Sequence, residues 1–246
     1  MDDRAASGKT SVTVIGGTGS LGFGLALRLA QAGVRVTIGS RSAERAGQAV
    51  DRALAALADG DFHGASNEEA ARDADFVVIS VPFASHAENL KQIAPTLQAG
   101  QIVIDATVPL AAEVGGRPTR LLGVWQGSAA EQARELLPAE VAVVSALHTV
   151  SASALGDLSA PLDQDTLLCG DSREVKRRAA ALLTQIEGLR CVDCGRLEMS
   201  RITESLTPLI ISVNIRYKAH AGVRLTGVPD EIPGKSDAAP REARVQ

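Results

Sequence analysis

Gly17, Gly19 and Gly22 lie in the run Gly17-Thr18-Gly19-Ser20-Leu21-Gly22, directly after the apolar stretch Val12-Thr13-Val14-Ile15. A strand, a glycine turn and a helix in that order place unpaired helix amides where a pyrophosphate can sit. Gly17 is expected to allow the tight turn, Gly19 the close approach of the phosphates, and Gly22 close packing of helix on strand. Leu21, Leu25 and Leu29 recur at helical spacing, giving the helix from Leu21 to Ala32 a buried face. After Gly33, Val34-Arg35-Val36-Thr37-Ile38 supplies a second strand whose end selects between the two nicotinamide dinucleotides. An acidic residue is usual there and accepts hydrogen bonds from ribose hydroxyls. Here the chain instead reads Gly39-Ser40-Arg41-Ser42-Ala43-Glu44-Arg45. A hydroxyl and guanidinium groups bind a 2′-phosphate, which a carboxylate would repel. Arg41 and Arg45 are four apart, so one helical face is expected to carry both. The pattern selects NADP(H).

Few other side chains invite chemistry. His148 ends an apolar run and is the titratable group expected nearest a bound ring, either hydrogen-bonding it or satisfying backbone groups. His63, His86 and His220 are assigned to loops or helix surfaces. Of the three cysteines, Cys191 and Cys194 form a local pair that ends a strand-like run, and all three are expected to be reduced structural thiols. No cluster with zinc-ligand spacing appears, so no metal is expected. Lys176-Arg177-Arg178 is expected to be a solvated helix face.

The elements that must position these residues alternate strand and helix. Ala43 to Leu57 is helical, Asp61 to Gly64 is read as a loop, and Asn67-Glu68-Glu69-Ala70-Ala71 as a short helix. The near-continuous apolar runs Asp75 to Val81, Gln101 to Ala106 and Val141 to Ala146 have the signature of strands buried on both faces. This spacing argues for an α/β fold, a doubly wound Rossmann-type parallel sheet with a smaller C-terminal α/β part. Ligands then bind outside the strand ends, at Ser80-Val81-Pro82-Phe83, Ala106-Thr107-Val108-Pro109 and Ala146-Leu147-His148-Thr149. The weakly periodic segment Ala111 to Gln126 reads as a loop or hairpin able to cover the site. Residues 1–150 are expected to form the NADP-binding domain and 151–229 a smaller substrate or dimer part. In the second part, Ser151 to Gln164 reads as turns and Thr166 to Asp171 as a strand. Ser172 caps a helix through Glu187, and Gly188 to Asp193 is the last strand. A helix from Leu197 to Ala219 should bend or restart at Pro208. Residues 230–246, with Pro and Gly among charges, are expected to be disordered.

Composition narrows the partners. The chain has 246 residues, 45% hydrophobic but only 2% aromatic, so Ala, Val, Leu and Ile must build the core. So few aromatics offer no platform for stacking nucleic-acid bases, and a net charge of −4 gives no attraction to phosphate backbones or anionic membranes. No apolar run is long enough to span a bilayer, and the first ten residues lack a signal-peptide core, so the cytoplasm is expected.

The glycine turn, Ser40-Arg41 with Arg45, Val144-Ser145-Ala146-Leu147-His148-Thr149, Cys169-Gly170-Asp171 and Ser205-Leu206-Thr207-Pro208-Leu209-Ile210 stand in an order that resembles the F420-dependent NADP oxidoreductases. The resemblance runs from about residue 11 to about residue 220, and its later motifs are the more specific. It implies hydride transfer between C4 of the nicotinamide of NADP(H) and C5 of the deazaflavin coenzyme F420. By matching motif, Thr18, Ser40, Arg41 and Arg45 would contact the 2′-phosphate. Gly16, Gly17, Gly19 and Ser20 would line the pyrophosphate turn, with Leu21, Gly22 and Val81 completing the cofactor-binding set. Pro82, His148, Thr149, Val150, Leu206, Thr207 and Pro208 would border the deazaflavin, with His148 the candidate catalytic residue. The segment Glu113 to Trp125 and the C-terminal stretch from Lys218 are longer than the family pattern, and Cys194 and Arg196 replace its Ala and Pro.

Two other readings compete: an NADPH-dependent reductase of an imine, ketone or metal chelate, and a non-catalytic NADP sensor. The first usually needs a proton donor, and no Lys, Asp or Tyr is convincingly placed for it. The apolar stretch Leu206 to Val213 suits either a homodimer contact or the intramolecular core.

Overall fold

The computed structural model describes residues 10–230 and 232. Eight strands form one sheet: β1 (Ser11–Ile15), β2 (Arg35–Ser40), β3 (Phe62–Ser66), β4 (Phe76–Ile79), β5 (Ile102–Asp105), β6 (Ala142–Ser145), β7 (Gln164–Gly170) and β8 (Leu189–Asp193). Their order is β3-β2-β1-β4-β5-β6-β7-β8, and every pairing is parallel except β6 with β7. The first six strands run in the doubly wound order, with the switch point between β1 and β4. The helices are α1 (Ser20–Gln31), α2 (Ala43–Ala56), α3 (Asn67–Arg72), α4 (Phe83–Ile93), α5 (Ala129–Leu136), α6 (Ala152–Gly156), α7 (Arg173–Leu183) and α8 (Ser200–Tyr217).

Strand alternation divides the core into two layers. Val12, Val14, Val78, Ile104, Val144 and Leu168 pack in one cluster, while Ile15, Val77, Ile79, Val103 and Val143 pack in the other. Successive side chains of a strand point to opposite faces, so each near-continuous apolar run feeds both layers.

Several expectations need correction. The supposed loop at Asp61 to Gly64 enters strand β3, an edge strand whose one large apolar residue, Phe62, is buried. It pairs only with β2, so little apolar surface was needed to specify it. Helix α6 interrupts the turn-rich stretch after Val150, with the Ser151 side chain capping the Ala154 amide. Arg28, 3% exposed on α1, ties that stretch down by donating to the carbonyls of Ala154, Leu155, Asp157 and Ala160. Lys176 is no solvated residue: it is 4% exposed, paired with Asp193 and bonded to the Gly195 carbonyl at 2.9 Å. Helix α8 runs unbroken through Pro208 after a 3-10 turn at Leu197–Met199. Its first turns are tied to β6 and β7 by Ser200 on Ser145 and by Thr203 against Cys169. The Ala111 to Gln126 segment is a 3-10 turn (Ala111–Val114) closed by an antiparallel bridge from Leu110 to Leu121. Past α8 the chain lies along β7, with the Asp165 amide donating to Val223 and the Leu225 amide donating to the Asp165 carboxylate. The expected tail disorder falls outside the described residues, apart from Asp230 and Ile232.

Candidate functional site

The β1–α1 turn is shaped by close backbone approach. Gly16, rather than Gly17, takes the left-handed backbone, with φ of 80°, and a Cβ there would lie 2.2 Å from the Ser80 carbonyl oxygen. A Cβ on Gly22 would meet the Gly16 oxygen at 2.8 Å, so Gly22 allows α1 to sit down on the strand as expected. The Gly17 amide donates to Val14 and the Gly19 amide to Gly16, at 3.1 and 3.0 Å. Gly19 is the N-cap of α1, and no side chain caps that terminus. A helix start without a side-chain cap offers its amides to an anion.

At the tip of β2, Ser40 is buried at 7% exposure, while Arg41 and Arg45 are exposed. Neither guanidinium has a hydrogen-bond or ion-pair partner among the described residues. They do not share a helix. Arg41 precedes the N-cap Ser42, whose hydroxyl accepts from the Arg45 amide, and only Arg45 is helical.

A cavity of about 460 Å³ opens beside the turn, within the range of small-molecule sites. Gly19, Ser20 and Leu21 form one wall, Ser80 to Pro82 and Ala106 to Val108 the strand-end wall, and Leu147 to Ser153 another. Helix α8 closes it with Thr207, Ile210, Ile211 and Asn214. The exit from β6 is a strained turn in which Leu147, not a glycine, has φ of 73°. The turn is pinned by the Leu147 amide on Thr166 Oγ1 at 2.7 Å and by Thr149 Oγ1 on the Asp165 carbonyl at 2.9 Å. His148 is 6% exposed, and neither ring nitrogen makes a well-formed hydrogen bond among the described residues. Burial lowers its pKa to about 4, so the ring is a neutral imidazole at physiological pH. A neutral imidazole has one donor and one acceptor, and the Asp105 backbone lies near enough to interact with it.

Behind this wall runs a buried polar row that sequence reading missed. Asp105, Ser145 and Cys169 occupy adjacent register positions on β5, β6 and β7. His86, expected at a surface, is fully buried with Nε2 2.7 Å from Asp105 Oδ2 and Nδ1 2.9 Å from Gln132 Oε1. Burial opposes the protonated His86, yet the Asp105 carboxylate outweighs it and raises the histidine's pKa. Burial equally opposes the ionised Asp105, but His86 holds that carboxyl below its usual range. Ser145 and Ser200 hydroxyls meet at 2.7 Å, and Glu204 accepts the Ala129 and Ala130 amides at the start of α5. Burial pushes Glu204 up to about 8.

The expected residues thus divide into two groups. Gly19, Ser20, Leu21, Val81, Pro82, His148, Thr149, Val150 and Thr207 line the cavity together. Gly16, Gly17 and Gly22 shape the turn behind it, and Thr18, Ser40, Arg41 and Arg45 stand outside the cavity lining. Leu206 and Pro208 are not in the lining, because the helix turns positions 207, 210, 211 and 214 toward it. Counting by three and four from Thr207 would have found Ile210, Ile211 and Asn214. His220, also expected at a surface, lines the cavity from the chain after α8, and no local signal marked it.

The profile of the family described as "NADP oxidoreductase coenzyme F420-dependent" matches residues 11–109. The F420-dependent NADP reductase of Methanothermobacter thermautotrophicus is 43% identical over 224 residues, covering 89% of this chain and 96% of that protein. Its namesake in Methanocaldococcus jannaschii is 42% identical, covering 88% and 98%. Among solved structures, an imine reductase of Bacillus cereus shares the fold at 18% identity with a TM-score of 0.58, covering 85% of this chain and 63% of that one.

Proposed function

This chain belongs to the family of F420-dependent NADP reductases, and on that footing we propose how its residues share the work. The protein is an oxidoreductase that transfers a hydride between NADP(H) and coenzyme F420. The residues present fit both substrates: a Cβ at Gly16 or Gly22 would collide with the Ser80 or Gly16 backbone and distort the turn that leads into the free amides of α1, and His148 lines the cavity beside apolar Leu147 and Val150. Gly16, Gly17, Gly19 and Ser20, with Leu21 and Gly22, would hold the pyrophosphate. Thr18, Ser40, Arg41 and Arg45 would hold the 2′-phosphate. Val81, Pro82, His148, Thr149, Val150 and Thr207 would flank the ring system. Leu206 and Pro208 would support it from behind, through Thr207.

The two substrates supply the hydride-donating and hydride-accepting carbons themselves, so the protein has little covalent chemistry to perform. Its task is to orient the rings and exclude water. Val81, Leu147, Val150, Ile210 and Ile211 give the cavity its apolar surface. His148, held neutral by burial, orients a ring through hydrogen bonds without adding a charge. Thr207 Oγ1 donates to the His148 carbonyl at 2.8 Å and fixes α8 against that turn. Residues 1–150 would serve as the NADP half, and residues 151–229 would complete the deazaflavin side.

The observation that carries this reading is His148, buried and neutral in the wall of a cavity it shares with Gly19, Ser20 and Leu21. The decisive test mixes protein, NADPH and coenzyme F420 and follows the deazaflavin absorbance. Bleaching is expected; intact NADPH binding without bleaching would point to a different acceptor. We extend the proposal to a cytoplasmic homodimer. No helix among the described residues is long and apolar enough to cross a membrane. The α8 residues Ile202, Leu209, Ile215 and Tyr217 are 56 to 76% exposed, and light scattering of Leu209→Glu beside the parent chain would test their role as a contact.

A further inference from the structure

Strand geometry re-pairs the cysteines. Cys191 and Cys194 are close in sequence, but positions i and i+3 of a strand point to opposite faces. Cys191 packs in the apolar layer with Leu168, beneath α7. Leu168 stands in register with Asp193, and the Cys194 amide donates to the Leu168 carbonyl at 2.8 Å. The next residues, Cys169 in β7 and Cys194 just past β8, therefore turn to the other face. There Cys169 Sγ lies 3.7 Å from Thr203 Oγ1 of α8. Neighbouring strands run about 4.8 Å apart, which suits the Cα separation a disulfide requires.

Their settings differ in a useful way. Cys169 is fully buried and Cys194 half-buried, so Cys194 is the sulfur a small molecule reaches first. The Cys194 thiol, with the hydroxyls of Thr203, Ser145 and Ser200, outweighs burial and draws Cys169 down to about 7. Its neighbour Cys169 pushes Cys194 up. Burial pushes Cys191 up to about 12 and leaves it inert.

We propose that Cys169 and Cys194 form a reversible dithiol–disulfide site whose oxidant is a low-molecular-weight disulfide. Cys194 attacks one sulfur of the small disulfide while the Cys169 thiolate, acting as general base, takes its proton. A mixed disulfide forms on Cys194 and one thiolate leaves. Cys169 then gives that proton to the departing thiolate and attacks Cys194 Sγ. The Cys169–Cys194 bond forms and the second small thiolate is expelled, so the protein thiol–thiolate pair is oxidised and the small disulfide is reduced to one thiol and one thiolate. The closed bond lies under the first turns of α8, one helical turn before Thr207.

The test exposes the full-length protein to glutathione disulfide at pH 8, blocks remaining thiols under denaturing conditions and maps the linkage by mass spectrometry. Wild type is expected to lose two of its three thiols, with Cys169 joined to Cys194, and to recover both with dithiothreitol. Cys191→Ser should lose two thiols in the same way. Cys169→Ser should stop at a mixed disulfide on Cys194. Three free thiols in wild type after prolonged exposure, a Cys191–Cys194 linkage, or a wild-type mixed disulfide that never resolves would each overturn the proposal.

Discussion

The two ends of the site are built by opposite means. At the end proposed to take the phosphates the structure relies on backbone: a left-handed glycine, free helix amides and two exposed guanidinium groups with no partner among the described residues. At the end proposed to take the rings, His148 in the wall and His86, Asp105 and Glu204 behind it are titratable side chains all at or below 6% exposure. Recognition of phosphate by exposed cations is insensitive to pH near neutrality, but salt screens it. Recognition by buried, pKa-shifted groups is screened little and depends on pH. The phosphate end should therefore fail sterically or by loss of charge, and the ring end by titration.

The largest effect tests the steric half. Gly16→Ala must place a methyl group 2.2 Å from the Ser80 carbonyl in a left-handed backbone. Strain and overpacking together should cost about 3 kcal/mol or more, read as a shifted denaturation midpoint with NADPH binding lost. Gly33 supplies the control, since it also has positive φ but nothing within 4 Å of its absent Cβ. Gly33→Ala should cost only about 1 kcal/mol. Equal losses in the two variants would mean that backbone conformation alone, and not the approach to β4, governs the turn.

The ring end is next. The unfolded chain protonates His148 near 6.5, and the native chain not until about 4. The associated stability is complete above the unfolded value and is lost as pH falls through that window, by about 3 kcal/mol in all. Glu204, raised to about 8, works in the opposite sense, losing its contribution as pH rises from its unfolded value. The difference between wild type and His148→Asn isolates the histidine. Denaturant midpoints from pH 7 to pH 4 should fall more steeply for wild type, and parallel profiles would show that His148 is not the buried neutral group.

How far this contrast could be read in the sequence follows from the range of the interactions. The β1–α1 turn was legible because its hydrogen bonds close between near neighbours and glycine leaves few alternatives. Strands β4, β5 and β6 were legible because burial on both faces writes an unbroken apolar run. The buried polar row was not. His86 meets Asp105 across 19 positions and Glu204 meets the Ala129 amide across 75, so nothing local distinguished either from a surface residue. Lys176 was misread for the same reason: its partner, Asp193, arrives from β8. The three cysteines are free, as expected, but the nearness of Cys194 to Cys169 was not legible, because it comes from the pairing of β7 with the end of β8.

The charge half of the contrast gives a smaller effect. Arg41→Ala combined with Arg45→Ala should raise the Kd for NADPH on the order of 30-fold and leave NADH unchanged, because only NADPH carries the 2′-phosphate. Added salt should narrow the gap between wild type and variant. Isothermal titration with both nucleotides at two salt concentrations reads each point. An equal loss for NADH would move these arginines away from the 2′-phosphate.

Thr207 joins the two halves of the ring wall, and its removal should give the smallest effect. Its hydroxyl holds the His148 carbonyl at 2.8 Å, while the helix continues past it to Ile210, Ile211 and Asn214. Thr207→Val keeps the volume and removes that one hydrogen bond, worth about 1 kcal/mol. If the bond serves to hold the imidazole turn against α8, the KM for coenzyme F420 should rise about fivefold while NADPH affinity stays fixed. A change confined to NADPH would place α8 on the nicotinamide side, and the division between a backbone-built phosphate end and a side-chain-built ring end would have to be redrawn.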